Sequence, residues 1–267
     1  MKVQEFFAKQ PVFTYEEFAD FLAARDSRNV KTRWSLLRHY TDTGRILRVR
    51  RGLYVTVPAG LSPQSCPVDP YLVAAKMTED AVLAYHTALE LHGRAYSVYE
   101  QSYYLTRSAT RPLTFRGHRY RRLPFPKELR AKHQESFAVE LVDRGGLNVR
   151  VTSLERTLVD VLDRPSLGGG WEEIWRSLES VEFFDLDKVI EYALLLGNAT
   201  TTAKTGFYLE QHRDTLMVDD AQLERLRAHK PRKPHYMVRK GRKSGRLQTG
   251  WNLVVPEEIL KRSWEER

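Results

Sequence analysis

Val30-Lys31-Thr32-Arg33-Trp34-Ser35-Leu36-Leu37-Arg38-His39-Tyr40-Thr41-Asp42-Thr43-Gly44 runs directly into Arg45-Ile46-Leu47-Arg48-Val49-Arg50-Arg51-Gly52-Leu53-Tyr54-Val55, and this stretch decides how the chain is read. In its first half Val30, Trp34, Leu37 and Tyr40 recur at helical spacing, which predicts one helix face turned to a core. The outward face then shows Arg28, Lys31, Thr32, Ser35 and His39, with Arg33 and Arg38 on its flanks and no carboxylate before Asp42. Gly44 suits the left-handed residue that ends a helix. The second half reads as two short strands, Leu47-Arg48-Val49 and Leu53-Tyr54-Val55, turning at Arg50-Arg51-Gly52. Upstream, Thr14 and Glu17 have the spacing of a capping box, and Phe18, Phe21 and Leu22 follow at helical intervals. The polar turn Asp26-Ser27-Arg28 separates the two helices. Three helices, the last two joined by a tight turn, and a basic hairpin predict a winged helix-turn-helix over residues 1–58.

Such a second helix fits the major groove of duplex DNA, where Arg, Lys, Ser and Thr reach base edges and phosphates. The residues expected at DNA are therefore Arg28, Lys31, Thr32, Arg33, Ser35 and Arg38 on the helix, and Arg48, Arg50 and Arg51 on the wing. Arg45 adds to the wing's charge, and no acidic residue interrupts it. An ordinary solvated surface mixes both signs, and this one does not.

Beyond it, Leu61-Ser62-Pro63-Gln64-Ser65-Cys66-Pro67 opposes regular structure, so residues 59–67 are read as a linker. Residues 68–267 then mix helix and strand signals, which makes the expected fold class α+β, a winged helix-turn-helix followed by a mixed α/β domain. Thr152 and Glu155 suggest a second capping box, opening a helix with Leu154, Leu158, Val161 and Leu162 inward. Four helices are read between Trp171 and Arg227, and a last strand from Trp251 to Val255. The chain has 43 Lys and Arg against 34 Asp and Glu, a net charge of +9 that favours anionic partners. No apolar run approaches the ~20 residues of a membrane-spanning helix, no signal-peptide core follows Met1, and Cys66 is the single cysteine. These features predict a cytoplasmic protein without membrane partner, disulfide or cysteine-based zinc site.

Four segments together resemble the AbiEi family, antitoxins of abortive-infection, type IV toxin–antitoxin systems. They are the wing Gly44 to Val55, Tyr85-His86-Thr87-Ala88-Leu89-Glu90-Leu91-His92-Gly93, Val151-Thr152-Ser153-Leu154-Glu155-Arg156-Thr157-Leu158-Val159-Asp160, and Trp251-Asn252-Leu253-Val254-Val255-Pro256. The family often carries Ser where Thr87 stands. The resemblance implies autorepression through operator inverted repeats by the winged helix. It further implies that the C-terminal domain neutralises a cognate toxin of the nucleotidyltransferase fold, by direct or indirect means. The alternative is a free-standing transcriptional regulator whose C-terminal domain senses a ligand or oligomerises.

Other candidate chemistry points to no enzyme, cofactor or metal. His86 and His92 lie six residues apart, unlike the i, i+4 pair that holds zinc on a helix, and His92 before Gly93 reads as a helix end. Arg156 and Asp160 are spaced as an intrahelical pair, no lysine completes a nuclease-like acid cluster, and Gly168-Gly169-Gly170 lacks the Lys of a phosphate loop. Two basic stretches remain. One runs through Arg111, Arg116, His118, Arg119, Arg121 and Arg122. The other runs from Arg225 to Arg246 and includes Arg239, Lys240, Arg242 and Lys243. Each fits nucleic acid, an acidic toxin surface, or solvated charge without a partner.

Overall fold

The computed structural model describes residues 3–24, 29–238, 245–262 and 264 of an α+β chain with three β-sheets among those residues. The chain divides into two compact units. One is Met1–Leu83, Glu100–Arg122 and Leu141–Arg150; the other is Ala84–Tyr99, Leu123–Glu140 and Val151–Arg267. This division differs from the predicted break at 59–67. Cys66 is buried, and the Arg116 guanidinium donates to the carbonyls of Pro63 and Cys66, so that segment is pinned inside the first unit. Its prolines stop regular structure without freeing the chain.

The first unit opens with α1 (Val3–Lys9), β1 (Val12–Thr14), α2 (Tyr15–Ala23), α3 (Val30–Asp42), β2 (Ile46–Arg50) and β3 (Leu53–Thr56). The capping box at α2 forms as read: Thr14 Oγ1 accepts from the Glu17 N–H at 3.2 Å, and Glu17 accepts from the Thr14 N–H at 2.7 Å. The short strand β1 was not anticipated. It pairs antiparallel with β3, Phe13 opposite Tyr54, to give the sheet order β1-β3-β2. Inside pack Phe6, Phe7, Phe13, Phe18, Leu22, Leu37, Ile46 and Tyr54, with several rings meeting edge-on at 5.3–5.9 Å. Edge-to-face contact sets the positive rim of one ring against the negative face of another.

The rest of this unit is α4 (Pro70–Ala75), capped by Asp69, and a six-stranded sheet. Its strands are β4 (Val82–Leu83), β5 (Gln101–Leu105), β6 (Leu113–Phe115), β7 (His118–Leu123), β8 (Val139–Arg144) and β9 (Leu147–Thr152), in the order β6-β7-β5-β4-β9-β8.

The second unit is mainly helical: α5 (His86–Leu91), α6 (Lys127–Ala131), α7 (Leu154–Asp163), α8 (Trp171–Glu179), α9 (Leu186–Leu195), α10 (Ala199–Gln211), α11 (Arg213–Leu216) and α12 (Asp220–Arg227). Five helices, not four, lie between Trp171 and Arg227, because Met217 in a left-handed conformation closes an extra turn at α11. A small sheet of β10 (His235–Tyr236), β11 (Gly245–Gln248) and β12 (Leu253–Pro256) precedes α13 (Glu257–Leu260). Helix α7 is its buried centre: Leu158, Val159, Val161 and Leu162 are inaccessible, and so are Arg156 and Asp160. Its cap lies one residue later than predicted. Ser153 accepts from the Arg156 N–H, while the Thr152 hydroxyl turns to Thr157 and Glu155 accepts from the Asp185 N–H.

Candidate nucleic-acid interface

Helix α3 begins at Asn29, whose side chain accepts from the Lys31 N–H at 2.9 Å. A polar side chain here satisfies one of the donors that a helix start leaves open. Helix α3 turns Leu37 fully inward and packs Leu36 and Tyr40 partly against the phenylalanine core. This phase differs from the predicted one. Val30 is 54% exposed and Trp34 39% exposed, so neither is a core residue. Arg33, Leu36, Leu37 and Tyr40 keep i, i+3, i+4, i+7 spacing and are the less exposed set. Trp34 lies instead against Tyr15, ring centroids 4.4 Å apart and 13° from parallel.

The solvent face of α3 then carries Lys31, Thr32, Ser35, Arg38 and His39, all exposed as expected, while Arg33 is half-buried. Arg28 lies outside the described residues. Asp42 joins this face at its C-terminal end, 3.6 Å from Arg38 in an exposed pair. Next to it, β2 and β3 form a hairpin that turns at Arg51-Gly52, Gly52 having φ +81°, which a side chain would strain. Between helix and hairpin runs a groove of about 480 Å³ lined by Trp34, Arg38, Asp42, Arg48, Arg51 and Tyr54. Burial pushes the Tyr54 phenol up, against the lowering effect of Arg48, so it stays a neutral donor.

The hairpin arginines part company. Arg48 and Arg51 are exposed and line the groove. Arg50 does not take the predicted place. A register shift between Arg48 and Arg50 turns its guanidinium to the Met77 carbonyl, and its Nε is buried. Arg50 therefore fastens the hairpin to the chain beyond α4.

The two further basic stretches are engaged in part among the described residues. In the first, Arg116 is bound as described and His118 Nε2 meets Ser102 Oγ at 2.8 Å, while Arg119 and Arg121 stay exposed. In the second, Arg225 pairs with Asp187, and Arg227 bonds Glu210 and Glu224 while covering the Trp251 ring. Arg239, Lys240, Arg242 and Lys243 lie outside the described residues.

In the second unit His92 caps α5 ahead of Gly93, as the sequence suggested, with its Nε2 2.9 Å from the Thr152 carbonyl. His86 is wholly buried, its Nε2 3.0 Å from Glu173 Oε1 and its Nδ1 3.3 Å from Glu90 Oε1, with Tyr99 stacked on the ring. Burial pulls its pKa down, but the two carboxylates outweigh burial and the net shift is upward. Arg156 Nη1 donates to the carbonyls of Glu135 and Phe137 at 2.9 and 2.7 Å, and Asp160 accepts from the Tyr192 hydroxyl at 2.7 Å. These contacts link α5 to α8 and α7 to α9 within the helical unit.

Compared by sequence, the chain matches no protein-family model and no curated protein. Compared by structure, it is similar to the RV2827C protein from Mycobacterium tuberculosis, solved by crystallography. The TM-score is 0.61 over 98% of this chain and 93% of that one, at 18% identity. At that identity the likeness concerns the fold alone.

Proposed function

We propose that this chain is a DNA-binding antitoxin of the AbiEi type, with residues 1–58 acting as a winged helix-turn-helix. The observation that carries the DNA reading is the surface around α3. Its solvent side and the groove toward the hairpin gather Lys31, Arg38, Arg48 and Arg51 about an exposed helix, with Asp42 as the acidic lining residue. The element order α-β-α-α-β-β and the sheet order β1-β3-β2 support it, since two successive helices followed by a hairpin give the order in which α3 would be the recognition helix. The toxin-neutralising part rests on the sequence resemblance of residues 85–93, 151–160 and 251–256, and it assigns no contact residue.

The DNA reading is tested by titrating labelled duplex with the full chain, which should bind at submicromolar concentration in low salt and release steeply as salt rises. The antitoxin reading is tested by growth rescue: it expects a nucleotidyltransferase-like toxin gene beside this one, and co-expression of the two should relieve toxicity. Relief that survives Arg48→Ala/Arg51→Ala would place neutralisation apart from repression. DNA binding without relief would leave the free-standing regulator as the better reading.

A further inference from the structure

The exposed pair Val30 and Trp34 has no place in a helix face designed only for phosphates. Resting on the DNA reading above, we propose that these two side chains select sequence by contacting the C5-methyl groups of thymines in the major groove. Val30 is the first residue of α3, and the N-terminal turn of such a helix is the part that reaches base edges. Trp34 follows one turn later, and its stacking on Tyr15 fixes the ring before any ligand arrives, so little rotamer freedom is lost on binding. An apolar protein surface fits poorly here. Lys31 and Arg38 share the helix face, and Arg48 and Arg51 border the groove that Trp34 lines, so such a partner would strip four cations of water. Duplex DNA instead sets its phosphates against those cations and offers, between them, one apolar feature in the major groove, the thymine methyl. Charge complementarity around an apolar centre thus names the occupant.

The test uses the full chain and a duplex selected by it from a randomised pool, with each thymine then replaced in turn by uracil. Removing a contacted methyl should weaken binding about fourfold, the equivalent of roughly 0.8 kcal/mol per buried carbon group. Val30→Ala should abolish the uracil penalty at one thymine and leave it at the others; it moves the exposed first turn toward a better helix former, so folding is not at issue. Trp34→Ala should do the same at a second thymine about one helical turn away. Binding indifferent to uracil at every position overturns the proposal while leaving the DNA reading intact. So does an unchanged uracil response in both variants accompanied by a shift in sedimentation, which would make the patch an interface between copies. Selection of no duplex at all removes the DNA reading itself.

Discussion

Replacing Arg48 and Arg51 together by Ala removes two exposed cations from the groove wall, whereas Arg50→Ala removes one already bound to the Met77 carbonyl. Each phosphate neutralised by a side chain steepens the dependence of log K on log salt by about 0.9, so the double variant should lose roughly 1.8 from the slope per bound chain. Between about 50 and 200 mM salt, that difference means the wild-type advantage shrinks by a factor of about twelve. Arg50→Ala should leave the slope in place. It should instead lower stability by roughly 1–3 kcal/mol, because a part-buried carbonyl loses its charged donor. Fluorescence anisotropy with any labelled duplex of about twenty base pairs reads the slopes, since phosphate contacts ignore sequence; urea unfolding reads the stability. The reasoning is refuted if Arg50→Ala flattens the slope as much as the double variant, or if the double variant leaves it unchanged.

Three further outcomes concern the second unit. Arg156→Met should destabilise it by roughly 3–5 kcal/mol in urea, since Asp160 would stay buried beside Tyr192 without its cation. Asp160 is pushed up to about 6 by burial, so below that pH it takes a proton in the fold; the deficit of the variant should be smaller at pH 5 than at pH 8, and an equal deficit would exclude this cause. His86 has a raised folded pKa, so its contribution is complete below the ordinary histidine value near 6.5 and is lost as pH rises through the folded value. Thermal melts of wild type should therefore fall between pH 6 and 9 more than those of His86→Gln, and parallel curves would dismiss the Glu90–His86–Glu173 clamp. A Cβ at Gly206 would run into the Trp251 ring, and Gly206→Ala should cost roughly 1–3 kcal/mol by overpacking; a melting temperature at or above wild type would show that the ring can yield.

Much of the fold was legible because local chemistry specified it. The Thr14–Glu17 box, the Gly52 turn and the Gly93 helix end are satisfied by neighbours a few residues away, and local sequence is enough to find them. What was misread depended on distant partners. Val30 and Trp34 are apolar and correctly spaced, but the phenylalanine core formed by α1, β1 and α2 is filled by Leu36, Leu37 and Tyr40, leaving Tyr15 to receive Trp34 from outside. The alternative register 33, 36, 37, 40 was present in the same residues, hidden by Arg33 at its first position. The cap at Ser153 was missed for a related reason. Two hydroxyls stood side by side, and the choice fell to Thr157, which took up the Thr152 hydroxyl.

Charge was the least legible quantity, because a sequence counts cations without discounting those already spent. Arg50, Arg116, Arg225 and Arg227 all read as surplus basic residues, yet each guanidinium meets a carbonyl or carboxylate within its own unit. The net charge of +9 therefore says little about where a polyanion would bind. What remains informative is the contrast inside one hairpin. Arg48, Arg50 and Arg51 are chemically alike and nearly adjacent, but the register shift after Arg48 turns one inward and leaves two along the groove. A hairpin that only needed to be soluble gains nothing from that division. On the proposed DNA reading, a hairpin that presents charge from a fixed position needs an anchor as well as contacts, and Arg50 at the Met77 carbonyl is placed to be the anchor.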